Sequence, residues 1–285
     1  MFNNIYNNKK VLITGNTGFK GSWLSMWLIK LGAEVIGISK DIPTNPSMFE
    51  ELDLASKIKH YKEDIRNINP LRDIILNEKP DFIFHLAAQA IVSTSYIDPI
   101  DTFTSNVNGT INLLEILRHY QEKCVAILIT SDKCYDNVEW IWGYKETDMI
   151  GGKDIYSGSK GAAELVIKSY FNSFFQKEHP VRLAIGRAGN VIGGGDWAKD
   201  RIVVDCIRAF SEGNIVDIRS PKATRPWQHV LEPLMGYLIL AKKQFLEPKK
   251  YSDAWNFGTK NNSVKSVKEI VDYMVSFWGN GKIKA

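Results

Sequence analysis

Residues 11–24 of this 285-residue chain read VLITGNTGFKGSWL. Val11 to Thr14 have the apolar character of a buried strand. Gly15, Gly18 and Gly21 follow at three-residue intervals, and an apolar helical pattern, SWLSMWLIKLG, runs over 22–32. Gly15 permits a tight turn, Gly18 lets the backbone approach a pyrophosphate, and Gly21 lets the helix pack closely on the strand. The start of the helix offers free N–H groups and the positive end of its dipole to phosphate oxygens. A strand, a glycine turn and a helix in this order predict a dinucleotide site at the head of an α/β sheet.

The same alternation continues outward. EVIGIS (34–39), IKHYKEDI (58–65, the weakest), DFIFHLA (81–87), VAILIT (125–130) and VRLAIG (181–186) read as strands. NPLRDIILNEK (69–79), TINLLEILRHYQ (110–121) and AAELVIKSYFNSFF (162–175) read as helices. Strands apolar on both faces, each followed by a helix, make a parallel sheet covered on both sides, and right-handed crossovers wind it doubly. The expected fold is therefore α/β, a doubly wound parallel sheet of the Rossmann type. Beyond residue 188 the pattern turns irregular and rich in Gly and Trp. Residues 1–187, joined by 229–257, are expected to form a dinucleotide-binding domain, with 188–228 and 258–285 as a smaller substrate-binding lobe.

Composition narrows the class. A 44% hydrophobic, 24% charged chain with a net charge of +4 is an ordinary globular protein without the dense basic blocks of a nucleic-acid surface. Its three cysteines, Cys124, Cys134 and Cys206, have no CxxC spacing, and its five histidines are scattered. That pattern argues against a disulfide framework or a metal site and for a reducing cytoplasm. No segment reads as a signal peptide or a membrane span, so neither membrane nor nucleic acid is an expected partner.

Chemistry is expected where strands end. The most apolar strand runs into Thr130, Ser131, Asp132 and Lys133, and HLAAQA (85–90) ends another with small residues against which a cofactor could lie. His85, inside that strand, reads as a core histidine. DIYSGSKGAAEL places Tyr156 and Lys160 four apart, on one face of a helix. A tyrosine beside an ammonium and a nicotinamide charge has its pKa lowered, so it can take a hydroxyl proton as hydride leaves. Ser39 ends the second strand where a ribose-gripping Asp is expected, with Asp41 two residues on. Lys40 would suit a 2′-phosphate, which leaves NAD and NADP both open.

Through TGNTGFKGSWL, PTNPSMFE, HLAAQA, TSDKCYDN, GGKDIYSGSK, RAGNVIGGGDW and RPWQHVLEPL, essentially the whole chain resembles the extended short-chain dehydrogenase/reductase family. Within it, the chain is most similar to the sugar-nucleotide 4,6-dehydratases. The Ser-Asp-Lys triplet is the diagnostic element, since other 4,6-dehydratases carry Thr-Asp-Glu there; it implies CDP-glucose as the substrate. The resemblance implies an active site of Ser131, Asp132, Lys133, Tyr156 and Lys160. It implies NAD contacts from Gly15, Thr17, Gly18, Phe19, Gly21, Ser39, Asp64, Ile65, Leu86, Ala87, Ala88, Gln89 and Asn106, besides Tyr156 and Lys160. The implied reaction oxidises C4, eliminates water across C5–C6 and returns hydride to C6, feeding deoxysugar and O-antigen polysaccharide synthesis.

On the substrate side, Asn190 and the glycines 193–195 would meet a diphosphate, Arg201, Arg219 and Arg225 would bind phosphate, and Trp227 would form an apolar wall. Trp23 and Trp27 read as core. The helices at 110–121 and 162–175 are candidates for a homodimer interface. Family chains continue past SFWGNGKIKA, so the substrate lobe is expected to be incomplete and nucleotide-sugar affinity weakened. Two competing readings share parts of the pattern. A C4 epimerase would use the glycines, Tyr156 and Lys160 but not Asp132 and Lys133. An NAD(P)-binding regulator commonly lacks the Tyr–Lys pair.

Overall fold

The computed structural model describes residues 2–176, 178–259, 264–279 and 281–284. Strands β1 (Lys10–Thr14), β2 (Glu34–Ser39), β3 (Lys59–Lys62), β4 (Phe82–His85), β5 (Cys124–Ile129) and β6 (Val181–Ala188) join Ala254–Phe257 in one seven-stranded sheet. Its order is Ala254–Phe257, β6, β5, β4, β1, β2, β3, and every pairing is parallel. This is the expected doubly wound sheet, and its order reverses between β1 and β4, where a crevice opens at the carboxyl ends.

Burial explains the apolar runs. All six residues of β5 and all four of β4 are buried. Helix α1 (Phe19–Lys30) and the helix Leu231–Leu246 cover one face of the sheet, packing Leu24, Leu28, Leu234 and Tyr237 against Ile13, Phe84 and Ile127. The helices Ile68–Glu78, Gly109–Arg118 and Ile155–Tyr170 cover the other, with Leu71, Leu113, Leu117 and Ile167 against Leu12, Ile83 and Leu128.

Several boundaries differ from the sequence reading, two of them beside the site. The fourth strand stops at His85, and the Leu86 and Ala87 N–H groups turn onto the Thr14 carbonyl (3.0 Å) and hydroxyl (3.2 Å). The pattern read over 162–175 belongs to one longer helix, Ile155–Tyr170, which also carries Tyr156 and Lys160 as their spacing implied and ends in a wider turn, Phe171–Phe175. Half of its first eight residues, Ser157, Gly158, Ser159 and Gly161, are weak helix formers. A cap starts it: Asp154 Oδ1 accepts the Ser157 N–H at 2.9 Å, and the Ser157 hydroxyl donates to Oδ2 at 2.6 Å. Gly161 is required there, because a Cβ would stand 2.2 Å from the Gly151 carbonyl oxygen.

Beyond β6 lie short strand pairs, Val191–Ile192 with Gln228–His229, Thr224–Pro226 with Val264–Ser266, and Ile215–Asp217 with Lys282–Lys284. The helices Ile202–Ser211 and Val267–Trp278 share a separate small core of Cys206, Phe210, Val216, Ile218 and Val271. No helix among the described residues is long and apolar enough to cross a membrane.

Candidate active site

The glycine turn has the geometry a dinucleotide requires. Gly15 has φ +77°, and a Cβ on it would stand 2.8 Å from the Ala87 nitrogen. A Cβ on Gly21 would stand 2.1 Å from the Gly15 carbonyl oxygen, which fixes how closely α1 approaches the turn. Gly18 is different: the nearest atom to an added Cβ is the Gly15 oxygen at 3.4 Å. Nothing in the fold demands glycine there, as befits a position kept bare for a ligand. Gly18 caps α1 without any side-chain bond, and no acidic residue lies in the first turn, so the helix start keeps its positive end free of a carboxylate of its own. These residues fit a pyrophosphate.

On the ribose side, Ser39 is engaged within the protein. The Ser39 hydroxyl donates to Asn16 Oδ1 (2.8 Å) and accepts the Thr17 N–H (3.3 Å), so it is turned into the protein. The Thr17 hydroxyl donates to the Asp41 carbonyl (2.7 Å). Asp64, beside the buried Ile65, is gripped by Arg66 through Nε and Nη2, which hold its carboxyl below the usual range. The loop of Leu86, Ala87, Ala88 and Gln89 is pinned by Asn106. Its Oδ1 accepts the Gln89 N–H (2.8 Å), and its amide donates to the Gln89 carbonyl (3.1 Å) and the Ser159 hydroxyl (2.8 Å). Asn106 thereby links the cofactor loop to the helix of Tyr156 and Lys160. His85 is the core histidine expected, bonded to Thr14 (2.7 Å) and Thr110 (3.3 Å) and pulled down to about 3 by burial.

At the end of β5, the Ser131 hydroxyl accepts the Lys133 N–H (3.3 Å) and starts a single 3-10 turn, Asp132–Cys134. That hydroxyl also donates to Asp132 Oδ1 (2.9 Å). Lys133 Nζ donates to Asp132 Oδ1 and Asn190 Oδ1, both at 3.3 Å. Tyr156 is buried and hydrogen-bonded to Ser131. The protein's own groups raise its pKa, whereas the lowering expected from the sequence includes a nicotinamide charge. Burial, with help from the Asp132 charge, pushes it up to about 12, while the Ser131 bond pulls it back. Lys160 is buried and lowered by desolvation to about 8. Lys20, in the first turn of α1, is also lowered to about 8 by burial and faces Arg201, Asp132, Lys133 and Lys160. The sequence reading passed over Lys20 because it sits inside a motif read for its glycines.

The candidate substrate residues are placed unevenly. Arg201 Nη1 donates to Asp196 Oδ2 (2.8 Å) and its charge reaches Tyr156 and Lys20. Asn190 stands against Lys133. Arg219 is exposed beside Asp200 (3.3 Å), and Arg225 is exposed and donates to the Thr224 carbonyl (2.7 Å). Trp227 donates to the Lys265 carbonyl (3.0 Å) and lines a cavity of about 420 Å³ with Ile192, His229 and Glu232. Trp23 and Trp27 pack against the core of the α1 face.

A doubly wound sheet with this crevice, glycine turn and Tyr–Lys helix defines the class, and the chain belongs to the GDP-mannose 4,6 dehydratase family, which matches residues 12–274. The CDP-glucose 4,6-dehydratase of Salmonella typhimurium is 50% identical over 281 residues, covering 97% of this chain and 78% of that enzyme. Among solved structures, the UDP-glucuronic acid 4-epimerase of Bacillus cereus, in complex with UDP-glucuronic acid and NAD, superposes with a TM-score of 0.81 at 25% identity, over 96% of this chain and 85% of that one. The dTDP-glucose 4,6-dehydratase of Streptomyces venezuelae with NAD bound shares the fold, with a TM-score of 0.82 at 18% identity, over 97% and 84%.

Proposed function

We propose that the protein is a nucleotide-sugar 4,6-dehydratase that converts CDP-glucose to CDP-4-keto-6-deoxyglucose with NAD held on the glycine turn. The observation that carries this reading is the Ser131–Asp132–Lys133 triplet at the mouth of an otherwise buried strand, hydrogen-bonded onto Tyr156. NAD supplies the acceptor for hydride from C4 and its source for C6, and its positive ring supplies the downward pull on a nearby phenol pKa that burial opposes. Ser131 holds the C4 hydroxyl and Tyr156 takes its proton. The C4 ketone then acidifies C5–H, and the Asp132–Lys133 pair moves the protons of water loss, one taking the C5 proton and the other protonating the C6 hydroxyl. A C4 epimerase has no elimination and no work for that pair.

The half-exposed Asp132 and Lys133 also favour direct contact with substrate. Arg201, nearest the catalytic centre, and the outer Arg219 and Arg225 serve the diphosphate. Residues 1–187 with 229–257 act as the cofactor domain, and 188–228 with 258–285 as the substrate lobe. Ile97 and Ile100, 84% and 75% exposed, and Leu165, 56% exposed, support a homodimer built on the helices Val92–Ile97, Pro99–Phe103 and Ile155–Tyr170. The three free thiols support a reducing cytoplasm. The test is incubation with CDP-, dTDP-, GDP- and UDP-glucose, with mass spectrometry for a product lighter by one water. Dehydration of CDP-glucose is expected, and no dehydration of any of the four contradicts the reading.

A further inference from the structure

A buried ion pair stands one turn behind Lys160. Glu164 lies four residues on, on the same helix face, and its side chain is 3% exposed. Arg187, on β6, forks onto it, Nε to Oε1 and Nη2 to Oε2, both at 2.8 Å. The hydroxyl of Thr130, the residue before Ser131, donates to Oε1. Arg187 Nη1 also donates to the Tyr135 hydroxyl (2.7 Å) and the Glu146 carbonyl (3.1 Å), in the segment after the triplet. The pair thus joins the end of β5, the Tyr–Lys helix and the loop that follows Lys133. Replacing a buried ion pair by apolar groups is often neutral or stabilising, so stability alone gives no reason for a carboxylate here.

We propose that Glu164, locked by Arg187 and Thr130, is a positioning residue for Lys160 whose carboxylate keeps the Lys160 ammonium charged in a dry site. The proposal rests on Lys160 acting in the reaction above. Lys160 faces Glu164 on its own helix, the Cys134 thiol after β5, Lys20 of α1 and His85 of β4. Burial holds the thiol protonated and the imidazole neutral, and Lys20 adds repulsion. Glu164 is first among the groups that oppose the desolvation of Lys160. Both its oxygens are taken by Arg187 and Thr130, so it acts on Lys160 through space.

The charge of Lys160 can be read directly by NMR of protein labelled with 13Cε-lysine, its signal assigned by its loss in Lys160→Arg. Glu164→Gln keeps the size of the side chain and removes its charge. Glu164→Gln/Arg187→Met removes both charges, so no lone cation stays buried. The Lys160 midpoint is expected to fall by about one pH unit in each, the size of effect an adjacent opposite charge produces. The alkaline limb of the turnover profile should move with it. Midpoints equal to wild type in both variants, with only the melting temperature changed, would overturn the proposal and leave the pair structural. The titration needs no substrate, so its failure is distinct from failure of the CDP-glucose reading.

Discussion

The proposed site has two walls, built differently. On the sheet side, Ser131, Tyr156 and Lys160 are each less than a tenth exposed, backed by β5, β6 and the capped helix. On the lobe side, the Arg219 side chain is 77% exposed, and Arg225 bonds to the carbonyl of its own neighbour. Groups that must meet developing charge need to be placed before substrate arrives, because reorganisation during reaction costs rate. Groups that grip a diphosphate can be ordered as it binds, at some cost in affinity.

Substitutions on the two walls should therefore differ in kind. Tyr156→Phe removes the proton acceptor and should lower turnover by about 10²–10⁴-fold, with CDP-glucose affinity kept; steady-state kinetics alongside calorimetry would check both. Lys160→Met tests the cost of the dry wall. The Lys160 pKa falls from 10.5 to about 8 on folding. The unfolded chain then holds more protons between those pH values, so this residue's penalty is full below pH 8 and lifts as pH rises toward 10.5. At pH 7 the inactive variant should be the more stable one, by on the order of 3 kcal/mol. Denaturant melts should show the gap closing at high pH, and a variant less stable at pH 7 would contradict the account.

Gly18→Val divides fold from ligand. With 3.4 Å to the nearest atom for its Cβ, it should fold with a melting temperature near wild type yet lose NAD affinity in a fluorescence titration. Arg225→Ala, on the open wall, should have the smallest effect, weakening CDP-glucose by about fivefold without changing turnover at saturation, in line with roughly 1 kcal/mol for an exposed charge contact.

The sheet was legible because strands buried on both faces leave unbroken apolar runs, as in Val125–Ile129, and because Gly15 and Gly21 are demanded by local sterics. The Ser131–Lys133 triplet was legible as charge where apolar residues were due. Other features were hidden for physical reasons. Glu164 and Arg187 are 23 residues apart and meet only through the packing of a helix on a parallel sheet. The first half of the Tyr–Lys helix was legible only through the Tyr156–Lys160 spacing, since the Asp154 cap and close packing at Gly161 hold it rather than an apolar period. The direction of the Tyr156 pKa depended on burial, which a pairing rule between Tyr and Lys does not contain.

The central claim is that the charged end of β5 performs the elimination. Lys133→Met tests it most directly. Bound NAD should still be reduced on adding CDP-glucose, seen by nicotinamide absorbance, because Ser131 and Tyr156 remain. Exchange of the C5 hydrogen with deuterated water, followed by NMR of the recovered sugar, should cease, and no 4-keto-6-deoxy product should form. Normal C5 exchange and turnover in Lys133→Met would contradict the account and leave residues 131–133 as a solvated strand end.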